Sequence, residues 1–348
     1  VALGPALADR VFEAFRRVFP VYLWAVADEP TLPIERYLAA EFPPDDIDIV
    51  DPDPPPAPYL LADFTAETHL TGDTTQELLD MLTDPRKRQV LFYGPPGTGK
   101  SYVAQALGKL ITGLADPPAE RLTMVQFHPA YGYEEFIEGI RPESVDRGNG
   151  QHAISYPPRA GVFVKFCRTA AQIGQPCVFI IDEINRGNIP RIFGELMLLL
   201  EYRERRIPLP YSGETFTIPA NVHLIGTMNT ADRSIALIDF ALRRRFHFVN
   251  FRADAELFER WLAAHPSPLP YLGRLYRRLI GVDGIEDANF AIGPSLFMRP
   301  GLDEAGLRRV WKHSVIPYLE EYYFDQPEKV ARWAWDGALL GELRREPG

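Results

Sequence analysis

The feature that most constrains the fold of this chain is a glycine-rich octapeptide at residues 94–101, Gly-Pro-Pro-Gly-Thr-Gly-Lys-Ser. It fits G-x-x-x-x-G-K-[S/T], in which glycines let backbone N–H groups turn toward phosphate oxygens. An apolar run at 90–93 leads into it and a helical pattern at 100–111 follows, which disfavours a glycine-rich turn with an incidental lysine. We predict that Lys100 bridges the β- and γ-phosphates of a nucleotide and that Ser101 holds Mg²⁺. The predicted nucleotide-binding residues of the loop are Gly94, Pro95, Pro96, Gly97, Thr98, Gly99, Lys100, Ser101 and the adjacent Tyr102.

Polar residues end two other apolar strands. The run 177–181 leads into Asp182 and Glu183, and the run 222–228 leads into Asn229. Ligands bind at the carboxyl ends of strands in a parallel sheet. Asp182 is therefore predicted to hold the nucleotide's Mg²⁺, and Glu183 to polarise the attacking water of a hydrolysis. Asn229 is predicted to position that water, with a turn-capping asparagine as the alternative.

Three adjacent arginines, Arg243, Arg244 and Arg245, follow near the end of the alternating region. Such a cluster is commonly a solvated face, and that interpretation stays open. The functional alternative is an arginine that enters a neighbouring subunit's site and neutralises charge on the transferred phosphoryl group. This alternative requires a ring of subunits.

Strand and helix patterns alternate from residue 59 to residue 250, which predicts an α/β fold with a parallel sheet flanked by helices. Hairpin insertions are predicted with turns at 148–150 and 212–213. Strand patterns then stop, so 251–348 is predicted to be a small helical domain. Residues 1–58 are predicted to form a short helical appendage that ends in an acidic, proline-rich linker.

Composition restricts the functional class. The chain has 348 residues and a net charge of −10, which does not suit general binding to a nucleic-acid backbone. No apolar run approaches the ~20 residues that a membrane span needs. The two cysteines, Cys167 and Cys177, lack metal-ligand or CxxC spacing. We therefore expect buried thiols in a reducing cytoplasm and no membrane association.

Taken together, the loop, the strand-end acids, Asn229 and the arginines resemble the AAA+ superfamily of P-loop NTPases. Residues 127–142, 182–188 and 211–214 are similar to the McrB family, the GTP-hydrolysing motor subunits of McrBC modification-dependent restriction systems. The most specific likeness is the run Met228-Asn229-Thr230-Ala231-Asp232-Arg233-Ser234.

This resemblance implies a hexameric ring with GTP (or ATP) and Mg²⁺ between subunits, and a helical lid after the AAA+ domain. It implies that Asn229, Asp232 and Arg233 form a signature loop at the catalytic centre. It also implies trans-acting arginines among Arg243, Arg244 and Arg245, of which Arg244 and Arg245 are the predicted catalytic residues. It also implies an McrC-like partner that carries the nuclease, with DNA reached through the complex or through a separate recognition domain.

Two other functions stay open from the sequence: a MoxR-like ATP-dependent protein-remodelling chaperone, and a partner-dependent assembly NTPase in phage defence. No guanine- or adenine-recognition motif can be traced, so the choice of GTP rests on the resemblance alone. Arg299 is the nearest substitute for the second sensor arginine common in AAA+ lids. The aromatic side chains of 127–142 are predicted to pack rather than to stack on bases, and Arg203, Arg205 and Arg206 to form a solvated face.

Overall fold

The computed structural model describes residues 57–146, 152–231 and 240–345, so the predicted appendage and most of the linker lie outside the described residues. The strands are β1 (Gln89–Gly94), β2 (Leu122–Gln126), β3 (Glu138–Ile140), β4 (Glu143–Asp146), β5 (His152–Ser155), β6 (Pro158–Ala160), β7 (Cys177–Asp182), β8 (Ile207–Pro208), β9 (Thr215–Phe216), β10 (Val222–Asn229) and β11 (His247–Asn250). The α-helices are α1 (Leu61–Thr68), α2 (Gly72–Thr83), α3 (Lys100–Thr112), α4 (Tyr133–Phe136), α5 (Val162–Ile173), α6 (Ile189–Phe193), α7 (Leu196–Glu201), α8 (Phe240–Arg245), α9 (Ala255–Ala264), α10 (Leu272–Leu279), α11 (Glu304–Val310), α12 (Ile316–Tyr322), α13 (Pro327–Ala331) and α14 (Ala338–Arg345).

Five strands form the main sheet in the order β11-β1-β10-β7-β2, and every neighbouring pair is parallel. The predicted parallel α/β fold is therefore confirmed. Strand β11 was not predicted from the sequence. It is an edge strand that directly follows the arginine-rich helix α8. Because it has only four residues, its sequence is too short to show a clear alternating pattern.

Both faces of the sheet are covered. Leu91 and Phe179 face one apolar core, whereas their strand neighbours Phe92 and Ile180 face the other, and all four side chains are fully buried. Alternate residues of a strand point to opposite faces, so a strand buried on both sides must be apolar throughout. This explains why β1 and β7 are continuous apolar runs in the sequence.

Three antiparallel strand pairs accompany the main sheet: β3 with β6, and the hairpins β4 with β5 and β8 with β9. Both predicted hairpins are confirmed, although the turn at 147–151 lies outside the described residues. The β3–β6 pair was not predicted. It is linked to the β8–β9 turn because the buried carboxylate of Glu138 accepts hydrogen bonds from the Tyr211 and Ser212 amides, at 2.6 and 3.2 Å.

The aromatic side chains that follow β2 pack within the protein, as the sequence analysis favoured. Phe127 and Phe136 are buried, and the ring of Tyr131 stacks on Phe127 with centroids 4.8 Å apart. The Tyr133 hydroxyl donates to the Glu195 carboxylate. These rings therefore fix the segment after β2 against the core under α6.

A separate apolar core belongs to the helices after β11. Its buried members run from Phe258 to Leu343 and include Tyr276, Trp311 and Trp333. The predicted helical lid is thus present, while its exact boundary at residue 251 stays a prediction. Among the described residues, no helix combines the length and the apolar character needed to cross a bilayer.

One predicted surface residue lies elsewhere. Arg203 donates to Gln89 Oε1 at 2.8 Å and to the Val222 carbonyl at 3.2 Å, so it ties the start of β1 to the start of β10 and does not join Arg205 and Arg206 on a solvated face. Burial lowers the pKa of Arg203 to about 10.

Candidate active site

The predicted loop residues, the two strand-end acids and Asn229 converge at the carboxyl edge of the main sheet. β1 ends at Gly94, which pairs with Asn229 at the end of β10. The other neighbour of β10 is β7, which ends at Asp182. Parallel strands end at one edge, so three segments far apart in sequence meet there. A pocket of about 300 Å³ at this edge is lined in part by Gly99, Lys100, Ser101, Glu183, Thr227 and Asn229.

The loop after β1 has the backbone geometry of an anion cradle. Gly97 and Gly99 adopt left-handed conformations, with φ of 76° and 88°, and α3 begins directly after them. A helix N-terminus that follows such a turn presents unpaired N–H groups to an anion. The Lys100 side chain is buried and donates to the Gly94 and Pro95 carbonyls, at 3.0 and 2.7 Å. Phosphate oxygens are stronger acceptors than these carbonyls and would replace them as hydrogen-bond partners of Lys100.

Burial of Lys100 makes a pH dependence of binding testable. Burial lowers the pKa of Lys100 to about 8, although the carboxylates of Glu183 and Asp182 oppose the shift. Below that pH the lysine already carries the proton that phosphate requires. Above it, binding must take up a proton, so affinity for a nucleoside triphosphate is expected to fall by up to about tenfold per pH unit. Titration with a fluorescent nucleotide from about pH 7 to about pH 10 measures the slope.

Lys100→Arg is the control for this titration, because a guanidinium stays protonated across the same range. The variant is expected to lack the decline above pH 8 that the parent has. Parallel profiles for the parent and the variant would contradict the assignment of the proton to Lys100.

Three hydroxyl and carboxylate groups form a cluster beside the lysine. The Ser101 hydroxyl donates to Asp182 Oδ1 at 2.6 Å, and the Thr227 hydroxyl donates to the same oxygen at 2.5 Å. Oxygen atoms of this kind are the ligands that Mg²⁺ prefers. The residues therefore fit a magnesium ion, which Ser101 and Asp182 would hold directly or through its waters.

Glu183 follows β7 in the left-handed conformation, with φ of 52°, which is uncommon for a residue with a side chain. Its two carboxylate oxygens have separate partners: Asn229 Nδ2 donates to Oε1, and Arg186 Nε donates to Oε2 at 3.3 Å. Burial raises the pKa of Glu183, and the charge of Arg186 opposes this. A carboxylate with a raised pKa is a stronger base toward a water molecule.

The helical lid touches the loop through its backbone. The Gly293 amide donates to the Pro96 carbonyl at 3.2 Å, and the Ser295 amide donates to the Gly97 carbonyl at the same distance. A Cβ atom at Gly293 would lie 2.0 Å from the carbonyl carbon of Gly97, so only glycine permits this approach. The lid thus sits directly on the loop.

A second cavity, of about 310 Å³, adjoins the same loop. It shares Gly97, Gly99, Tyr102 and Ser295 with the pocket that Lys100 lines, so the two spaces are adjacent. Its remaining walls come from the end of α1 and the connection after it, from the loop, from α3 and from the chain after β11: Glu67, Thr68, Leu70, Thr98, Val103, Phe251, Leu257, Trp261, Pro294 and Met298. We name this space the apolar cavity. Its size and lining suit a flat ring system.

The arginine cluster lies at the opposite end of β1. The Arg245 carbonyl accepts a hydrogen bond at 2.6 Å from the side chain of Gln89, the first residue of β1. Arg245 also donates to the Met197 carbonyl at 2.7 Å and pairs with Glu201 at 2.8 Å, with only 16% of its side chain exposed. The guanidinium of Arg245 is thus held by contacts within its own subunit, and its action on a neighbouring subunit stays a prediction. Arg244 is 77% exposed and has a longer ion pair, 3.5 Å, with Glu201.

Two residues of the predicted signature loop, Asp232 and Arg233, lie outside the described residues. Arg299 is exposed and does not line the pocket or the apolar cavity.

Sequence reasoning missed Thr227, Ser295 and Asn185. Besides its bond to Asp182, Thr227 accepts a hydrogen bond from the Glu183 amide at 3.2 Å, so it aligns both acids. Asn185 donates to the Asn229 carbonyl at 3.1 Å. A threonine inside an apolar strand two residues before a polar strand end is the one signal that could have drawn attention to Thr227.

Two segments of the chain match known protein families. Residues 89–246 match the family described as AAA domain (dynein-related subfamily), and residues 277–331 match the family described as McrB, alpha-helical lid domain. The chain is 38% identical over 306 residues to the Type IV methyl-directed restriction enzyme EcoKMcrB subunit of Escherichia coli (strain K12), covering 82% of this chain and 63% of that protein. It is 29% identical over 284 residues to the Type II restriction enzyme BsuMI component YdiS of Bacillus subtilis (strain 168), covering 69% of this chain and 80% of that one.

A parallel sheet with a phosphate-binding loop at its carboxyl edge, joined to a helical lid, defines a P-loop protein of the AAA+ class, and the chain belongs to that class. Within that class, the match to the McrB lid domain and the similarity to the E. coli relative identify the chain as an McrB-type AAA+ protein. The chain spans 63% of the length of that relative.

Proposed function

We propose that this chain binds a nucleoside triphosphate with Mg²⁺ and hydrolyses its terminal phosphoanhydride bond, as the motor subunit of an McrBC-like restriction system. The observation that carries the proposal is the convergence of one cation, two carboxylates and one amide at a single sheet edge. Lys100 would bind the β- and γ-phosphates, and Ser101 and Asp182 would hold Mg²⁺, which supplies charge neutralisation when bound. Glu183 would accept a proton from a water that Asn229 helps to orient.

The position of the arginines supports action between subunits. Arg245 is bonded to Gln89 at the start of β1, whereas the loop follows Gly94 at its end. Five residue steps at ~3.3 Å each separate these ends by about 16 Å, which is beyond the reach of a side chain. The exposed Arg244 therefore cannot serve its own site, but it can serve the site of an adjacent subunit. A closed ring, which we take to be hexameric, satisfies every site in this way.

Family membership supports the rest of the proposal. The E. coli relative is a subunit of a restriction enzyme by name, and the B. subtilis relative is a component of another. We infer that the present chain drives a separate McrC-like nuclease subunit and acts on DNA through that assembly. We also infer GTP as its preferred substrate over ATP.

Lys100→Ala tests the central claim. Removal of the ammonium is expected to weaken Mg²⁺–nucleotide binding by about 10²-fold or more, because the loss of a charged hydrogen-bond donor to two phosphates costs about 3 kcal/mol. Equilibrium titration with a fluorescent nucleotide measures the loss. Lys87→Ala, on the connection before β1, is the matched control and is expected to bind as the parent does.

If Lys100→Ala takes up nucleotide as tightly as the parent, the loop is not the binding site. Phosphate release from GTP and ATP, measured in parallel with and without a nuclease encoded by an adjacent gene, tests the motor assignment. Faster GTP turnover with that nuclease is the expected result. A rate that is unaffected by it would remove the McrBC-like partner from the proposal.

A further inference from the structure

The apolar cavity contains a single formally charged side chain. Of the described residues that line it, only Glu67 is acidic or basic, and the other walls are mainly apolar or aromatic, among them Trp261 and Met298 of the lid. A charged group in such a space is costly unless it has bonding partners. Glu67 has such partners, and 24% of its side chain is exposed.

Two side chains outside the cavity hold the Glu67 carboxylate in place. The Tyr59 hydroxyl donates to Oε2 at 2.6 Å, and Lys109 Nζ lies 3.4 Å from Oε1 and 3.5 Å from Oε2. An ionised carboxylate offers about four acceptor positions. Besides Tyr59 and Lys109, the hydroxyl of Tyr102, which lines the cavity, interacts with the same carboxylate. The carboxylate is thus held at the wall of the cavity, where the donors of a ligand would compete with the Tyr102 hydroxyl.

The position of the cavity defines what part of a ligand it would receive. It is adjacent to the pocket around Lys100, with which it shares Gly97, Gly99 and Tyr102. A nucleotide whose phosphates occupy the loop would therefore place its base here. Guanine presents two adjacent donors on one edge, N1–H and the 2-amino group, whereas adenine presents an N1 acceptor and a C2–H there. A carboxylate pairs with the first edge and repels the second.

We propose that Glu67 is the residue that selects guanine over adenine, by accepting hydrogen bonds from guanine N1–H and the 2-amino group in the apolar cavity. The inference rests on the proposed nucleoside-triphosphate site, because the base reaches the cavity only when the loop holds the phosphates. Tyr59 and Lys109 act as positioning residues, since they contact the carboxylate and not the base.

Competition binding on the full chain tests the proposal, with GTP, ITP and ATP displacing a fluorescent guanine nucleotide. ITP lacks the 2-amino group but keeps N1–H. The parent is expected to bind GTP most tightly, ITP about tenfold more weakly and ATP weakest. Glu67→Gln keeps the side-chain shape but introduces an amide donor. It is expected to lose GTP affinity by about 10- to 100-fold while its ATP affinity changes by less than about threefold.

Glu77→Gln is the matched control, because it makes the same change on the exposed face of α2, away from the apolar cavity. It is expected to retain the preference for GTP over ATP. Two results would overturn the proposal: a Glu67→Gln protein with the parent's GTP-to-ATP ratio, or a Glu67→Gln protein that loses GTP and ATP affinity equally. The parent's comparison of GTP with ITP needs no variant, and equal affinities there would also overturn it. Failure of every nucleotide to bind the parent would instead refute the proposed function itself.

Discussion

Glu183→Gln is expected to lower nucleoside-triphosphate turnover by about 10²- to 10⁴-fold, the range that a positioned general base contributes. The amide cannot take a proton from the attacking water. Its oxygen can still accept the hydrogen bond that Asn229 donates to the parent carboxylate, so the site should keep its shape. Nucleotide affinity is therefore expected to stay within about threefold of the parent, which separates a chemical defect from a binding defect. Phosphate release and fluorescent-nucleotide titration measure the two quantities.

The matched control is Glu77→Gln, the same change on the exposed face of α2, which is expected to be silent in both assays. A Glu183→Gln protein that turns over at the parent rate would exclude Glu183 as the base. Loss of binding and turnover together would instead indicate that the acid supports the fold of the loop.

Single alanine substitutions at the adjacent residues Arg244 and Arg245 are expected to have different consequences. Arg244→Ala should reduce turnover by about 10³- to 10⁵-fold, as loss of an arginine finger does, with the free energy of unfolding unchanged because the side chain is 77% exposed. Arg245→Ala should chiefly destabilise the subunit, by about 1–3 kcal/mol, because Glu201 and the Met197 carbonyl lose their partner. Chemical denaturation and phosphate release distinguish the two outcomes.

Mixing two inactive variants tests whether Arg244 acts between subunits. An Arg244→Ala subunit keeps Glu183, and a Glu183→Gln subunit keeps Arg244, so one type of interface in a mixed ring has both groups. When equal amounts of the two variants assemble at random, about a quarter of all interfaces have both groups, and partial activity is expected to return. A mixture as inactive as its components, under conditions where subunits exchange, would place Arg244 outside the catalytic arrangement.

The sheet and the phosphate loop could be predicted because their signals are local. Apolar runs of strand length and the glycine pattern before Lys100 report on backbone conformation within a few residues. Strand β11 and the β3–β6 pair could not be predicted in this way. Each is only three or four residues long, and each strand pairs with a segment distant in sequence.

The arginine cluster shows most clearly what the sequence alone cannot predict, namely which of its side chains are exposed. Arg244 and Arg245 are the same residue type in adjacent positions, yet one is 77% exposed and the other 16%. The phase of α8 and the position of Glu201 decide which guanidinium is buried. No pattern along the chain distinguishes them, because the partner lies on another helix, α7.

By itself, the sequence determined that a triphosphate-binding loop joins β1 to α3 and that β7 ends in two acids, since both depend on neighbouring residues. Only the tertiary structure decided which further side chains meet at that edge. Thr227 bonds to Asp182 from another strand, Glu67 reaches the apolar cavity from α1, and Gly293 contacts the loop from the lid. Such contacts join segments tens to hundreds of residues apart, and their geometry arises only when the sheet, its helices and the lid pack together.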